Sequence, residues 1–183
     1  MVGGEIFNRF SNYKRISVKQ ERYGDSMATI ISVEHINPFL VSAQQILSQV
    51  CAIQTKVGPL SKDNVSIDGE PVFIMLGVTG EMSGQVCIVF DLNVAKDIAS
   101  RMMMGMPVDV IDDMAKSALS ELGNMIMGNA ATLLSNNNLR IDITPPTLGM
   151  GNAKLTSPNM TSIKVPLVYE GGEVKLFFLL KLS

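Results

Sequence analysis

The chain has 183 residues, with 15 Lys+Arg against 17 Asp+Glu, 46% hydrophobic and only 17% charged residues. That is enough apolar material for one packed domain and excludes wholesale disorder, while a net charge of -2 removes the basic footprint of a nucleic-acid binder. No stretch approaches the roughly 18 apolar residues of a membrane helix.

Two cysteines, Cys51 and Cys87, are too few for a disulfide framework, and their apolar neighbours predict reduced thiols in the core. Phe7, Phe10 and Tyr13 are separated by polar residues, so the start of the chain has no secretory core and the expected compartment is the cytoplasm. Residues 1–26 hold five Lys or Arg, three acids and four of the ten aromatics without a sustained period. Regular patterning opens at about Met27. We therefore expect residues 1–28 to be an N-terminal extension, disordered or bound to a partner, ahead of a single domain over 29–183.

Asn37-Pro38 reads as an N-cap followed by proline at the first helical position. Leu40, Ala43, Ile46, Leu47, Val50 and Cys51 then keep helical spacing to about Lys56. Val57–Leu60 and Asn64–Ile67 are short apolar runs before an Asp68-Gly69 turn. Val72–Val78 and Gln85–Phe90, joined through Gly80 to Gly84, predict a hairpin. Asp91 or Asn93 should cap a short helix through Met104, stopped by Gly105 and Pro107. Of the thirteen methionines, Met102, Met103 and Met104 close that helix and are expected to fill core space.

A long helix follows from about Asp112 to Ser135. Leu139, Ile141 and Ile143 alternate with polar residues, a half-buried strand halted by Pro145-Pro146. Residues 149–161, rich in Gly, Asn, Ser and Pro, read as a loop. Ile163–Tyr169 alternates up to a Glu170-Gly171-Gly172-Glu173 turn, and Val174–Leu180 should be a central strand covered on both faces. Pro166 marks the strand before it as a sheet edge. The order helix, strand, hairpin starts near 38 and again near 112. It predicts a pseudo-symmetric α+β domain with helices packed against one largely antiparallel sheet.

On a wheel at about 100° per residue, Ala115, Leu119, Leu122, Ile126, Ala130 and Leu133 form the core face of the long helix. The opposite stripe is Ser117, Glu121, Asn124, Gly128, Ala131 and Ser135. It has no lysine or arginine, whereas an ordinary solvated face is built from large charged residues. Glu121 and Asn124 stand at i,i+3 and point the same way. A stripe of small residues around one carboxylate and one amide has the form of a docking surface.

The run Ser117-Ala-Leu-Ser-Glu121-Leu-Gly-Asn124 resembles the signature helix of the CheC/CheX/FliY family: Asp or Ser, three residues, Glu, two residues, Asn, then a proline about 22 residues on. Here 21 residues separate Asn124 from Pro146. Ile36-Asn37-Pro38-Phe39 is also similar to the start of CheX-like proteins, so the resemblance spans about 29–182. The first helix has Gln44, Gln45 and Ser48 but no matching Glu-x-x-Asn, and a single site resembles CheX rather than CheC or FliY.

The resemblance implies a CheC/CheX-like fold and a phosphatase acting on the aspartyl phosphate of a phosphorylated CheY-like receiver domain. Glu121 and Asn124 would be catalytic, with Ser117, Gly128, Ala131 and Pro146 docking the partner. It implies no cofactor in this chain, Mg²⁺ residing in the partner, and a homodimer paired near the C-terminus. The other function class is a non-catalytic binding module or scaffold of chemotaxis or flagellar signalling with the same fold.

Rival chemistries are weaker. Asp109, Asp112 and Asp113 suit a helix N-terminus better than a metal cluster. His35, the single histidine, has no nucleophile motif around it. Gly149-Met-Gly151 lacks the strand-loop-helix setting of a phosphate loop.

Overall fold

The computed structural model describes residues 33–62, 65–67, 69–155 and 162–183; the extension expected over 1–28, together with Asn64, Asp68 and residues 156–161, lies outside the described residues. Three helices among them, α1 (Val33–Cys51), α2 (Leu92–Met102) and α3 (Asp113–Asn136), pack on one face of a sheet. The strands are β1 (Lys56–Val57), β2 (Ser61–Lys62), β3 (Val65–Ile67), β4 (Val72–Gly80), β5 (Met82–Phe90), β6 (Ile141–Ile143), β7 (Thr147–Met150), β8 (Ala153–Leu155), β9 (Ile163–Tyr169) and β10 (Gly172–Leu182).

The main sheet runs β1-β9-β10-β5-β4-β6, with β2 also on β9 and β7 also on β4, while β3 and β8 form a separate pair. All pairings are antiparallel. The α+β class with helices against a largely antiparallel sheet is thus what the chain adopts. The two long hairpins, β4–β5 and β9–β10, stand back to back through β5 and β10, from Val174 opposite Phe90 to Leu182 opposite Met82.

Strand β10 is central, as its apolar run predicted. Val174, Leu176, Phe178 and Leu180 join the helices in the main core, and the rings of Phe178 and Phe39 of α1 lie 5.6 Å apart. Phe177 and Leu179, on the other face, cluster with Cys87 and Val89. Burial pushes the Cys87 thiol up to about 12, and burial opposed by the nearby Arg101 leaves Cys51 at about 11. Both are free, buried thiols.

Two prolines depart from their local preferences. Helix α1 starts at Val33, not at Pro38, carries Pro38 within it, and so includes Glu34 and Asn37, a Glu-x-x-Asn that a helix starting at Pro38 would lack. Interrupting a helix with proline costs about 3 kcal/mol, but starting upstream buries Ile36 completely, and full burial of such a side chain returns about 1.5–3 kcal/mol. The helix ends at Cys51 rather than near Lys56, because Ala52 turns left-handed at φ 55.

Pro166 is not at an open edge either. Strand β9 has β10 on one side and both β1 and β2 on the other. The missing N–H falls between those two short partners, where Gly58 N–H donates to the Pro166 carbonyl at 2.8 Å.

Other boundaries shift locally. Part of the loop expected over 149–161 is β7 and β8. Asp91 stands at the N-cap of α2 without a side-chain capping bond, since its carboxylate pairs with Lys175 at 3.1 Å. Met102 and Met103 pack against the core as expected, whereas Met104 is exposed. In the last turn of α3, Leu134 is buried in place of Leu133; four positions after the buried Ala130, it lies about 40° from it around the helix, against about 60° for Leu133.

Helix α3 meets the sheet at Gly123, where an added Cβ would stand 2.9 Å from Cγ2 of Ile74. Gly128 has nothing within 4 Å of the same atom. Gly123→Leu should therefore lose about 1–3 kcal/mol by overpacking, a fall in thermal midpoint of roughly 2–4 °C per kcal/mol for a chain of this size. Gly128→Leu should leave the midpoint unchanged or raised, since Leu forms helix better than Gly by up to about 1 kcal/mol. Scanning calorimetry of the two variants checks this, and equal midpoints would contradict the close approach at Gly123.

Candidate functional site

The face of α3 turned from the sheet is set by its first turn and by its glycine. The Asp112 carboxylate accepts the Ala115 N–H at 2.9 Å, a side-chain N-cap. Ala115, Leu119, Leu122, Gly123 and Ile126 are buried, which leaves Ser117, Glu121 and Asn124 exposed. Asp113 pairs with Lys116 at 3.3 Å, and the Ser117 hydroxyl donates to the Asp113 carbonyl at 2.8 Å. Asp112 and Asp113 are thus engaged in capping and pairing.

Opposite this face stands the segment after β6. Thr144 N–H donates to the Gly77 carbonyl at 3.0 Å, and Gly77 N–H donates back to the Thr144 hydroxyl at 2.8 Å. Only glycine allows that approach, because a Cβ on residue 77 would sit 2.8 Å from Cγ2 of Thr144. The reciprocal bonds fasten Pro145 and Pro146 beside the helix. Two consecutive prolines have fixed φ and little freedom, so they form a firm wall.

Helix and wall enclose an open groove of about 770 Å³, lined by Asp113, Lys116, Ser117, Ser120, Glu121, Asn124 and Ile143 to Pro146. It brings together four of the residues singled out from the sequence: Ser117, Glu121, Asn124 and Pro146. Gly128 and Ala131, half-buried further along α3, do not line it. Both prolines reach the groove, so the spacing one residue short of the family pattern still delivers a proline to the wall.

Asp113, Lys116, Ser120, Ile143, Thr144 and Pro145 line the groove in addition to the residues expected there. Ser120 lies only about 40° from Asn124 on a helical wheel, so its place was available from spacing. Thr144 and Pro145 depend on a strand edge that spacing does not show.

Among the described residues neither the Glu121 nor the Asn124 side chain has a hydrogen-bond or ion-pair partner. The groove therefore presents a carboxylate that can accept a cation or donors, beside an amide that can accept with its oxygen and donate with its nitrogen. The Lys116 ammonium, paired with Asp113 at 3.3 Å, lines the same groove. Such a surface can order water and grip a cationic side chain, but it offers no nucleophile–base pair.

Residues 72–168 match the family model described as chemotaxis phosphatase CheX. The chain is 31% identical over 133 residues, 72% of its length and 85% of the relative's, to the CheY-P phosphatase CheX of Thermotoga maritima. Its fold superposes on a crystal structure of the chemotaxis protein CheX from Desulfovibrio desulfuricans with TM-score 0.73 and 24% identity, covering 82% of this chain and 99% of that one. It also matches a chain of the CheX-CheY-BeF3-Mg+2 complex from Borrelia burgdorferi, with TM-score 0.67 and 26% identity over 80% of this chain and 97% of that one. With its exposed Glu121 and Asn124 on one helix face and a fold shared along most of its length, the chain belongs to the CheX family.

Proposed function

We propose that this chain is a phosphatase that hydrolyses the aspartyl phosphate of a CheY-like receiver domain. The observation that carries the reading is the pair Glu121 and Asn124, exposed in the groove beside Pro145 and Pro146 and without a partner among the described residues. Its support is similarity to a CheY-P phosphatase and to a relative crystallised with CheY and BeF3.

The chemistry asks for little else. An aspartyl phosphate is an acyl phosphate with a carboxylate leaving group, so a strong general base is dispensable. What remains is holding a water in line with the phosphorus and balancing charge. In this reading the Asn124 carbonyl oxygen accepts a water hydrogen while its NH₂ donates to a phosphoryl oxygen, as a glutamine does in GTPases. The water oxygen bonds to phosphorus as the bond to the aspartyl oxygen breaks; the partner's carboxylate leaves and inorganic phosphate takes the water's protons. Glu121 holds the regulator by gripping a lysine there. Mg²⁺ belongs to the receiver domain, and this chain supplies none of its ligands.

Asn124→Ala should leave folding and regulator binding intact while slowing dephosphorylation at least about 100-fold, roughly 2.7 kcal/mol of barrier. Glu121→Ala should weaken regulator binding as well as turnover, and Glu121→Gln should restore only part, since shape survives but charge does not. Single-turnover loss of phosphate from a purified receiver, with binding measured in parallel, separates the two roles. An Asn124→Ala chain that keeps most of its rate would remove the water-positioning role, and a folded wild-type chain that binds without turnover would favour the scaffold class.

We also propose a homodimer that keeps both Glu121/Asn124 faces outward for two regulators. With β1 and β2 covering the edge of β9, pairing has to use a surface beyond that strand. Light scattering on the full chain and on one starting at Met27 should give dimers in both. Monomers in both at micromolar concentration would exclude the assembly.

A further inference from the structure

The segment from Met104 to Met114, which leads from α2 into α3, carries four of the exposed large hydrophobic residues: Met104, Met106, Val110 and Met114. Val110 is 67% and Met114 59% accessible. A scattered exposed methionine needs no explanation, but these are placed with respect to the groove. Met114 precedes Ser117 by three positions and Glu121 by seven, so Met114, Ser117, Glu121 and Asn124 share one stripe of α3. Asp113, its neighbour in sequence, lines the groove.

We infer that Met114 and Val110 form an apolar docking step for the body of the same receiver domain whose phosphoryl group enters the groove; this rests on reading the groove as a receiver site. Ten residues of helix place Met114 about 15 Å from Asn124 along the axis. A stable interface covers about 800 Å² on each partner, a patch reaching roughly 15 Å from its centre. A folded domain centred on Asn124 therefore comes down on Met114, and an unrelated protein could not occupy that spot at the same time.

The chemistry of the step also describes the partner's matching surface. Between Met104 and Gly128 the chain has four acids (Asp109, Asp112, Asp113 and Glu121) and one base, Lys116. The partner surface must then be apolar with lysine or arginine around it. Methionine suits such a role because its unbranched, polarizable side chain adapts to the shape it meets.

The test uses full-length protein and a receiver domain loaded with beryllofluoride and Mg²⁺ as the phosphoryl mimic, with Kd measured by titration and turnover measured on the phosphorylated receiver. Met114→Gln, nearly equal in shape and uncharged, should weaken binding at least about 5-fold. Met114→Gln with Val110→Thr should weaken it at least about 10-fold, a change of roughly 1.4 kcal/mol. Met114→Leu should stay within about 2-fold of wild type, and all three should keep kcat while KM rises only for the polar variants. Unchanged Kd and KM for the polar variants, with wild type active, would overturn the docking step alone. Saturable binding of wild type without turnover would overturn the hydrolytic reading while the same Kd series still decides the step. No binding by wild type would overturn both.

Discussion

The contact between Gly123 and Ile74 governs the placement of the groove. Helix α3 lies against β4 at Gly123, where the side chain is a hydrogen, with the would-be Cβ 2.9 Å from Cγ2 of Ile74 and 3.6 Å from Cδ1 of Leu76. That approach fixes the rotation of the helix about its axis. Residues two before and one after the contact, Glu121 and Asn124, are thereby turned from the sheet, and a helix rotated by one position would bury one of them. Gly77, on the same strand, performs the corresponding service for the wall by admitting Thr144. Strand β4 thus positions both sides of the groove through two glycines and contributes little to its lining.

What the sequence made legible followed from side-chain pattern. The boundaries of α3, its Asp112 cap and the exposed Ser117, Glu121 and Asn124 all derive from periodicity and capping within one element. The central position of β10 was legible for the same reason, since seven nearly unbroken apolar residues need cover on both faces. Elements held by backbone pairing alone were hidden. Strand β7 hydrogen-bonds to β4 from a Gly-rich segment whose side chains alternate poorly, and nothing in its composition separates it from a loop.

The two prolines expose a related limit. Local preference places Pro38 at a helix start and Pro166 at an edge, and in both cases a longer-range gain decided otherwise. At Pro38 the gain is the burial of Ile36 in the preceding turn. At Pro166 the proline coincides with the gap between two short partner strands, so its missing donor breaks no ladder bond.

Helix α1 shows how differently polar side chains of one helix can be used. Glu34 and Asn37 stand in its first turns at the i,i+3 spacing of Glu121 and Asn124, but four polar residues further along are bonded within the chain. Ser42, fully buried, donates to the Ile126 carbonyl, and Gln45 accepts from Asn129 at 3.0 Å. Gln44 donates to the Thr55 carbonyl at 2.9 Å, and Ser48 accepts from Gln54 at 2.7 Å. A group that already has its partner gains little by exchanging it for another, so α1 serves to clamp α3 and to hold the turn beyond its own end. Among the described residues Glu121 and Asn124 stand in the opposite state: they are placed by the packing of their neighbours, and their side chains have no hydrogen-bond or ion-pair partner.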